Sequence, residues 1–218
     1  MFDCSRSFQG HALNEYWAKG PDAFINNLFE IFIRFREDYV GYVGDIRKYY
    51  NSVMMSVFDQ HCHRFLYRPS WWLKNKEEPP DVNCITVVNM GDRPSGAIAT
   101  VALYKTAEMS ASIYPEEAKV IKDSSYVDDI ADSTNTKKNA DCIIENINDI
   151  LKTGNFTIKR WIISGDTDPN YSEKVLGVNW QPYNDVLWLP IKINFSAMKD
   201  GVRTEPNVTI TNIREFQN

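Results

Sequence analysis

The sequence predicts an α+β fold in which two helices lie on one face of an antiparallel sheet. The first observation is the order of the predicted central elements, which is strand, helix, strands, helix, hairpin, helix and strand. That order is typical of a split βαβ arrangement. The second observation is composition, because 43% of the 218 residues are hydrophobic and 24% are charged, as in a globular domain with a sizeable core.

The predicted elements of the first third of the chain are a helix followed by short strands. Residues 21–36 predict a helix, because their apolar side chains recur at helical spacing and Pro21 suits the first helical position. The apolar run 39–46 predicts a buried strand with an acid, Asp45, near its end. The elements expected after it are a short helix at 49–58, a strand at 64–67, a loop at 69–82 and a strand at 84–88.

Longer helices are predicted in the rest of the chain. Residues 95–113 predict a helix with Ser95 as its N-cap and Pro115 as its stop. Another helix is expected after the N-cap residues 132–134, with Gly154 at its end. The remaining expected elements are a strand at 125–127, a short return strand at 130–131, a strand at 156–163 and a hairpin at 174–189 that turns at 182–185.

Apolar segments and cysteines limit the compartment and the chemistry. No stretch approaches 18 continuous apolar residues, and the first residues have no apolar signal region, so we expect an intracellular protein without a membrane partner. The four cysteines are scattered without paired spacing, which favours free thiols. The triplet at 61–63 contains His61, Cys62 and His63, but adjacent strand residues point to opposite faces, so no metal site is expected there.

Three acids stand where predicted strands end: Asp45, Asp128 and Asp129. An aspartate at the end of an apolar strand is costly unless it is paired or bound to a metal. Two adjacent aspartates in a tight turn repel each other, and Mg²⁺, which takes oxygen ligands, would relieve that repulsion. Two such ions about 4 Å apart can stabilise the attacking and leaving oxygens of a phosphoryl displacement. An ordinary β-turn at 128–129 and a helix N-cap at Asp45 are alternatives that the residues alone leave open.

Three segments resemble motifs of the reverse transcriptase family, and they occur along this chain in the same order as in the family. Tyr126-Val127-Asp128-Asp129 resembles the Y-x-D-D box of its catalytic hairpin. The segment 45–50, which begins with Asp45, resembles its first catalytic motif. Between them, residues 91–96 (GDRPSG) lie where the family has a Gly-rich segment leading into a helix. Four residues such as YVDD recur by chance, so the resemblance depends on the ordered set.

Further segments resemble the BEL/Pao class of retrotransposons over nearly the whole chain. They are residues 2–5, 13–14, 20–21, 64–66, 105–108, 114–116, 156–161, 175–180 and 201–204. The resemblance implies a polymerase palm, which is a ferredoxin-like antiparallel sheet with helices on one face, together with partial fingers. It implies partial fingers and a lead-in helix at 1–38, a palm with the YVDD hairpin and an inserted finger segment at 39–168, and a primer-grip-like hairpin leading towards a missing thumb at 169–218.

The activity that the resemblance implies is RNA-directed DNA polymerisation, in which a nucleotide is transferred from a dNTP to a primer 3′-OH by a two-metal mechanism. Asp45, Asp128 and Asp129 would be the catalytic residues. Together with the carbonyl of Ile46 they would hold two Mg²⁺ ions, which Mn²⁺ could replace.

Two further groups of residues receive roles from the same resemblance. The nucleotide-binding residues would be Tyr50, Met90 and Gly91, although many reverse transcriptases have Gln at the position of Met90. The primer-binding residues would be Tyr126, Leu176, Gly177 and Val178. A plain core aromatic at Tyr50 and an ordinary buried strand at 176–178 remain alternatives. Lys159 and Arg160 could contact phosphates or could be solvated surface charges.

The expected partners are an RNA template, a DNA primer, a dNTP and other segments of a retrotransposon polyprotein, in a cytoplasmic virus-like particle. The net charge of −5 (24 Lys and Arg against 29 Asp and Glu) is unusual for an enzyme that binds nucleic acid. An inactive or domesticated fragment that binds nucleic acid or a protein therefore stays open. A nucleotide cyclase and an RNA-binding α+β module are weaker alternatives, because the segments beyond the hairpin and the acids at the strand ends favour the polymerase.

Overall fold

The computed structural model describes residues 3–21, 26–68, 79–192 and 207–210. The helices are α1 (Leu13–Tyr16), α2 (Leu28–Glu37), α3 (Val57–Gln60), α4 (Ser95–Ser110), α5 (Pro115–Asp123) and α6 (Lys137–Thr153). The strands are β1 (Val40–Ile46), β2 (Arg64–Tyr67), β3 (Asp81–Cys84), β4 (Ser125–Tyr126), β5 (Asp129–Thr134), β6 (Ile158–Ile163), β7 (Glu173–Val175), β8 (Val178–Gln181), β9 (Val186–Lys192) and β10 (Asn207–Ile210). No helix in this described part is long and apolar enough to cross a membrane.

The chain divides into two compact units, each built from three separate stretches of sequence. The first unit comprises residues 1–25, 46–122 and 147–157, and the second comprises 26–45, 123–146 and 158–218. The proposed division at 1–38, 39–168 and 169–218 describes functional parts rather than compact units, and it stays a prediction.

The second unit contains a four-stranded sheet in the order β4-β5-β1-β6. Strands β1 and β4 each pair antiparallel with β5. In chain order the sheet therefore has its first and third strands in the centre and its second and fourth strands at the edges, which is the ferredoxin-like arrangement. The α+β fold class and the antiparallel sheet predicted from the sequence are confirmed.

Helix α6 covers one face of this sheet. Tyr42 of β1 and Ile163 of β6 are buried there against Ala140 and Ile144 of the helix. Adjacent strand residues point to opposite faces, so the next residue of β1, Val43, belongs to the other side.

That other face is covered by α2 and by the strands β7 to β9. The buried core here combines Val43, Ala131 and Ile162 of the sheet with residues of α2 and of the hairpin strands, namely Ile31, Phe35, Val175, Trp180 and Leu187. The rings of Phe35 and Trp180 meet edge to face with their centroids 5.0 Å apart. Because this core comes from α2, the sheet and the hairpin together, it fixes the hairpin strands against the sheet.

Several helix boundaries differ from the sequence prediction. Helix α2 begins at Leu28 rather than at Pro21, because the side chain of Asn27 accepts a hydrogen bond from the N–H of Phe29 and caps the helix there. Phe24 and Ile25, which were expected on its apolar face, lie outside the described residues. The helix predicted at 49–58 is instead a 3₁₀ turn at Tyr50–Ser52 and the short helix α3.

The caps of the later helices were also predicted wrongly. Ser95 does not cap α4, since its hydroxyl donates to the carbonyl of Asn89 at 2.6 Å. Pro115 stops no helix but begins α5, at the first helical position that proline favours. The N-cap of α6 is Thr136, whose hydroxyl accepts from the N–H of Asn139 at 3.2 Å, because β5 continues through Thr134.

Gly154 follows the last residue of α6 as expected, but a close approach explains the glycine better than a cap does. A Cβ atom at this position would lie 2.0–2.8 Å from side-chain atoms of Thr106 in α4. The left-handed residue at this helix end is Asn155, with a φ of 63°.

The strand predicted at 84–88 is also wrong, because β3 runs from Asp81 to Cys84 and pairs with β2. Residues 69–78 of the loop predicted at 69–82 lie outside the described residues. The turn at 182–185 is confirmed, and a second tight turn at Leu176 and Gly177 makes the expected hairpin three-stranded.

Candidate functional site

The predicted acids meet at one end of the central sheet. Asp45 of β1 and Asp129 of β5 are direct partners in the antiparallel register. Opposed residues of such a pair share a face of the sheet, with Cβ atoms roughly 5 Å apart. Asp128 immediately precedes Asp129, in the two-residue loop that joins β4 to β5. The structure therefore brings together the three carboxylates that the sequence singled out.

The loop that carries Asp128 has an unusual backbone. Val127, its first residue, has a φ of 55°. A β-branched residue in this left-handed region is a genuine outlier, and glycine is the residue that normally occupies it. The strain is of the order of 1–2 kcal/mol. In this turn the Asp128 side chain is exposed at the hairpin tip, and the next residue, Asp129, is already paired in β5.

Burial and the two neighbouring acids both affect the charge state of Asp129. Burial, with the negative charges of Asp128 and Asp45 adding to it, raises the pKa of Asp129 to about 6. At neutral pH a carboxyl group with this pKa is mostly ionised, but its ionised form destabilises the folded protein. A cation between the three carboxylates would remove that cost.

Two basic side chains of β6 lie near the acids. The Lys159 ammonium lies 3.5 Å from a carboxylate oxygen of Asp45, and the side chains of Lys159 and Asp45 are 64% and 40% exposed to solvent. Arg160 binds Glu173 of β7 and lies over the ring of Tyr171, 5.5 Å from its centroid, while the Tyr171 hydroxyl donates to the same glutamate.

Among the described residues, a small open cavity lies beside this arrangement. Its lining includes Asp45, Asp129, Arg160, Glu173 and Lys174. The cavity thus combines acids that suit a metal with bases that suit a phosphate. In this structure Lys159 and Arg160 pair with acids. A contact of either residue with a phosphate stays a prediction.

The expected primer-binding segment lies in the same unit. Val175 pairs with Val178, and the two residues between them have φ values of 50° for Leu176 and 89° for Gly177, as in a type I′ turn. Gly177 is required by this conformation, whereas Leu176 is strained in it. Leu176, Val178 and Tyr126 also pack against the buried core of the unit. Both interpretations, a primer contact and an ordinary packed hairpin, are compatible with this position.

The expected nucleotide-binding residues belong to the first unit and are described within it. Tyr50 is half-buried, with its ring edge-on to that of Tyr49 at 5.2 Å, and Met90 is 62% exposed. Gly91 has a φ of 114°, so the chain reversal at this position favours glycine. Ile46, the expected carbonyl ligand, is the buried last residue of β1.

Asn14 is a positioning residue that the sequence interpretation did not identify. Its side-chain amide donates to the carbonyl of Gly91 at 2.9 Å, and its side-chain oxygen accepts from the N–H of Arg93 at 2.9 Å. One side chain therefore holds the expected nucleotide-binding loop from both sides. The only signal in the sequence was the Leu13-Asn14 pair, which carried part of the family resemblance.

Solved structures, rather than sequences, identify relatives of this fold. No protein-family model matches the chain, and no curated protein matches it. It is similar to the structure of the foamy viral protease-reverse transcriptase in complex with an RNA/DNA hybrid, with a TM-score of 0.54 and 18% identity over 78% of this chain and 20% of that one. It is similar also to the foamy viral protease-reverse transcriptase dRH in complex with double-stranded DNA, with a TM-score of 0.56 and 18% identity over 81% of this chain and 27% of that one.

The fold is reverse transcriptase-like. This statement is about the fold alone, because the identity to both structures is low and the present chain spans only 20% and 27% of their lengths. The likeness agrees with the family resemblance that rested on the ordered motifs. The three clustered carboxylates, Asp45, Asp128 and Asp129, also fit a magnesium ion chemically, because Mg²⁺ takes oxygen ligands. The raised pKa of Asp129 agrees with this fit.

Proposed function

We propose that this chain is the palm-containing core of an RNA-directed DNA polymerase. The observation that carries the proposal is the pairing of Asp45 with Asp129 on adjacent strands, with Asp128 in the connecting turn, on a reverse transcriptase-like fold. The two matched foamy viral structures hold an RNA/DNA hybrid and double-stranded DNA. We extend nucleic-acid binding from those proteins to this chain as part of the proposal.

The acids are proposed to act as ligands. Asp45 and Asp128, with the carbonyl of Ile46, would hold two Mg²⁺ ions, for which Mn²⁺ could substitute. When bound, the ions would supply positive charge to the triphosphate and activate the primer 3′-OH. Asp129 is the third carboxylate, and it adds to the negative field that attracts the cations. The protein contributes positioning and charge stabilisation rather than a covalent intermediate.

The other proposed roles concern substrates. A dNTP would meet Tyr50, Met90 and the backbone of Gly91, and the primer end would meet Tyr126 and the turn at 176–178. The positive φ of Gly91 and the two hydrogen bonds from Asn14 support a defined loop at the nucleotide position. The ring of Tyr50 would exclude a ribose 2′-OH and so select deoxynucleotides.

The finer classification is also a proposal. The ordered segments along the chain support a BEL/Pao-type retrotransposon origin, with fingers, palm and primer-grip parts at 1–38, 39–168 and 169–218. Such an element would place the chain among other polyprotein segments in a cytoplasmic particle. The flanking reading frame tests this origin, which predicts protease sequence upstream and RNase H and integrase sequence downstream.

Primer extension tests the activity. The purified chain is incubated with a DNA primer annealed to RNA, with dNTPs and with Mg²⁺ or Mn²⁺. We expect incorporation by the native sequence and a loss of at least about 100-fold in Asp128→Asn, because a proposed ligand of the ions that would stabilise transition-state charge is removed. The matched control is Asp141→Asn, which changes an exposed acid of α6 and should retain full activity. Near-native activity of Asp128→Asn would refute the site.

A second candidate function is binding without polymerisation. It is favoured by the net charge of −5, which is unusual for an enzyme that binds nucleic acid. The same preparation distinguishes the two functions. Retention of the primed template on the chain, with no extension in either metal, would favour an inactive or domesticated binding module over a polymerase.

A further inference from the structure

A buried cluster of three metal-ligating side chains lies in the first unit. It consists of Cys4, His63 and Asp92, and one donor atom from each lies within 4.8 Å of the other two. The relative exposures of the three residues are 2%, 1% and 9%. They come from three distant parts of the chain. The triplet at 61–63 contributes only His63, since His61 and Cys62 are exposed, which is why sequence spacing gave no metal motif.

Both ring nitrogens of His63 have oxygen partners. Its Nδ1 lies 3.3 Å from the carbonyl oxygen of Asp59, and its Nε2 lies 2.7 Å from a carboxylate oxygen of Asp92. A proton on Nε2 accounts for the contact with Asp92 without an ion. A proton on Nδ1, directed at the carbonyl, would leave the Nε2 lone pair available to a cation. Metal-ligating histidines show the same second contact to a carbonyl.

The other two residues are buried and have a donor atom that an ion could use. The Asp92 Oδ1 atom is buried and, among the described residues, accepts no hydrogen bond. The Cys4 side chain is buried too, and its Sγ accepts a weak hydrogen bond from the side-chain amide of Asn89 at 3.6 Å. The Trp17 ring stacks on His63 with centroids 6.0 Å apart, which shields the cluster on one side.

We propose that Cys4, His63 and Asp92 form a zinc site. A thiolate, an imidazole and a carboxylate are each donors that Zn²⁺ takes, and their combined charge of −2 would neutralise the ion, as burial requires. Tetrahedral bonds of about 2.0–2.3 Å place donor atoms about 3.3–3.7 Å apart, so the His63–Asp92 contact would widen by roughly 0.6 Å. The thiol proton would be released to solvent as the ion binds.

The fourth coordination position of the ion would lie on the open side of the cluster. His63 and Asp92 line a cavity of about 160 Å³ together with Trp17, Met54, Ser56 and Ile98. This volume is ample for a water molecule as the fourth ligand. The ion would connect the segment before α1 to the loop that Asn14 holds at Gly91 and Arg93. The zinc site does not depend on the proposed polymerase activity.

Cobalt substitution tests the site on the full 218-residue chain, kept reduced. Co²⁺ bound to a thiolate gives a charge-transfer band in the near ultraviolet. We expect this band to saturate at one ion per chain, and we expect Zn²⁺ to displace it. At about 100 times its dissociation constant, Zn²⁺ should raise the melting temperature by about 5 °C or more. No band together with no thermal shift would overturn the proposal.

Single variants identify the ligands independently of folding. Cys4→Ser is nearly isosteric, so it should fold, lose the charge-transfer band and lose the thermal response to Zn²⁺. Cys62→Ser is the matched control, because Cys62 is exposed and directly precedes His63. It should retain both signals. Retention of the band in Cys4→Ser, or its loss in Cys62→Ser, would refute the ligand set. Asp128→Asn should leave both signals unchanged, which separates this site from the polymerase acids.

Discussion

Asp45 and Asp129 lie directly opposite each other on the neighbouring antiparallel strands β1 and β5. Like charges at opposed positions destabilise a sheet, so this pair costs free energy whenever both side chains are ionised. Asp128 stands next to the pair at the tip of a strained turn. A cation bound between these carboxylates would therefore stabilise the folded protein. The first three predictions below follow from this relationship.

Replacing Asp129 by Asn should stabilise the protein in the absence of divalent ions. The pKa of Asp129 is raised to about 6 in the folded chain, against about 3.9 for an unfolded aspartate. The folded state therefore binds more protons, and this contribution to stability, present below about pH 4, is lost as the pH rises to about 6. At pH 8 we expect Asp129→Asn to be more stable by on the order of 1 kcal/mol, once solvent screening is allowed for.

Urea unfolding at pH 4, 6 and 8 with a chelator measures this difference. The native chain and Asp129→Asn should have equal stability near pH 4 and should diverge towards pH 8. With saturating Mg²⁺ the order should reverse, because the variant loses one of the three negative charges that attract the cations. Parallel pH profiles for the two proteins would contradict the assignment.

Val127→Gly should separate stability from activity. Glycine adopts a φ of 55° without the strain that valine suffers. We expect a gain in unfolding free energy of about 0.5 kcal/mol, since the relief of strain is offset in part by the greater freedom of the unfolded chain. Incorporation should fall about 10- to 100-fold, because Asp128 would be held less rigidly. Thermal unfolding and primer extension measure the two effects, and a variant that is both less stable and fully active would contradict the role given to the strained turn.

Lys159 should compete with Mg²⁺ for Asp45. Its ammonium lies 3.5 Å from the carboxylate and is largely exposed, so the ion pair is weak. We expect Lys159→Gln to lower the Mg²⁺ concentration for half-maximal extension by up to about fivefold. Lys152→Gln is the control, since Lys152 forms a similar exposed pair with Asp149 on α6. An unchanged or higher Mg²⁺ requirement in Lys159→Gln would show that the lysine does not compete.

Gly44→Ala should disturb the strand that carries Asp45. A Cβ atom at Gly44 would lie 2.6–2.8 Å from ring atoms of Trp161 on β6. Overpacking of this kind costs about 1–3 kcal/mol. Gly96→Ala is the opposite control, because nothing lies within 4 Å of its Cβ position in α4, and alanine there should stabilise by up to about 1 kcal/mol. Equal melting temperatures for the two variants would contradict the close approach at Gly44.

The apolar pattern of the sequence was sufficient for the strands of the sheet and for α4 and α6, but it missed α5. The run at 39–46 predicted a buried strand, and α6 followed from apolar residues at helical spacing. Boundaries were less predictable, because a cap depends on which hydroxyl or amide reaches an N–H. Ser95 satisfies the carbonyl of Asn89 instead of capping α4, and no local pattern distinguishes these two uses of a serine.

The sequence by itself determined the fold class and the identity of the three acids, because periodicity and an ordered set of motifs are properties of the chain. Tertiary structure decided which side chains meet. Folding buried Asp129 and placed it beside Asp128 and opposite Asp45, which together raised its pKa. The fold also gathered Cys4, His63 and Asp92 from positions too far apart to form a spacing motif. The physical reason is that charge repulsion and metal coordination act over a few ångströms of space, whereas a sequence records only distance along the chain.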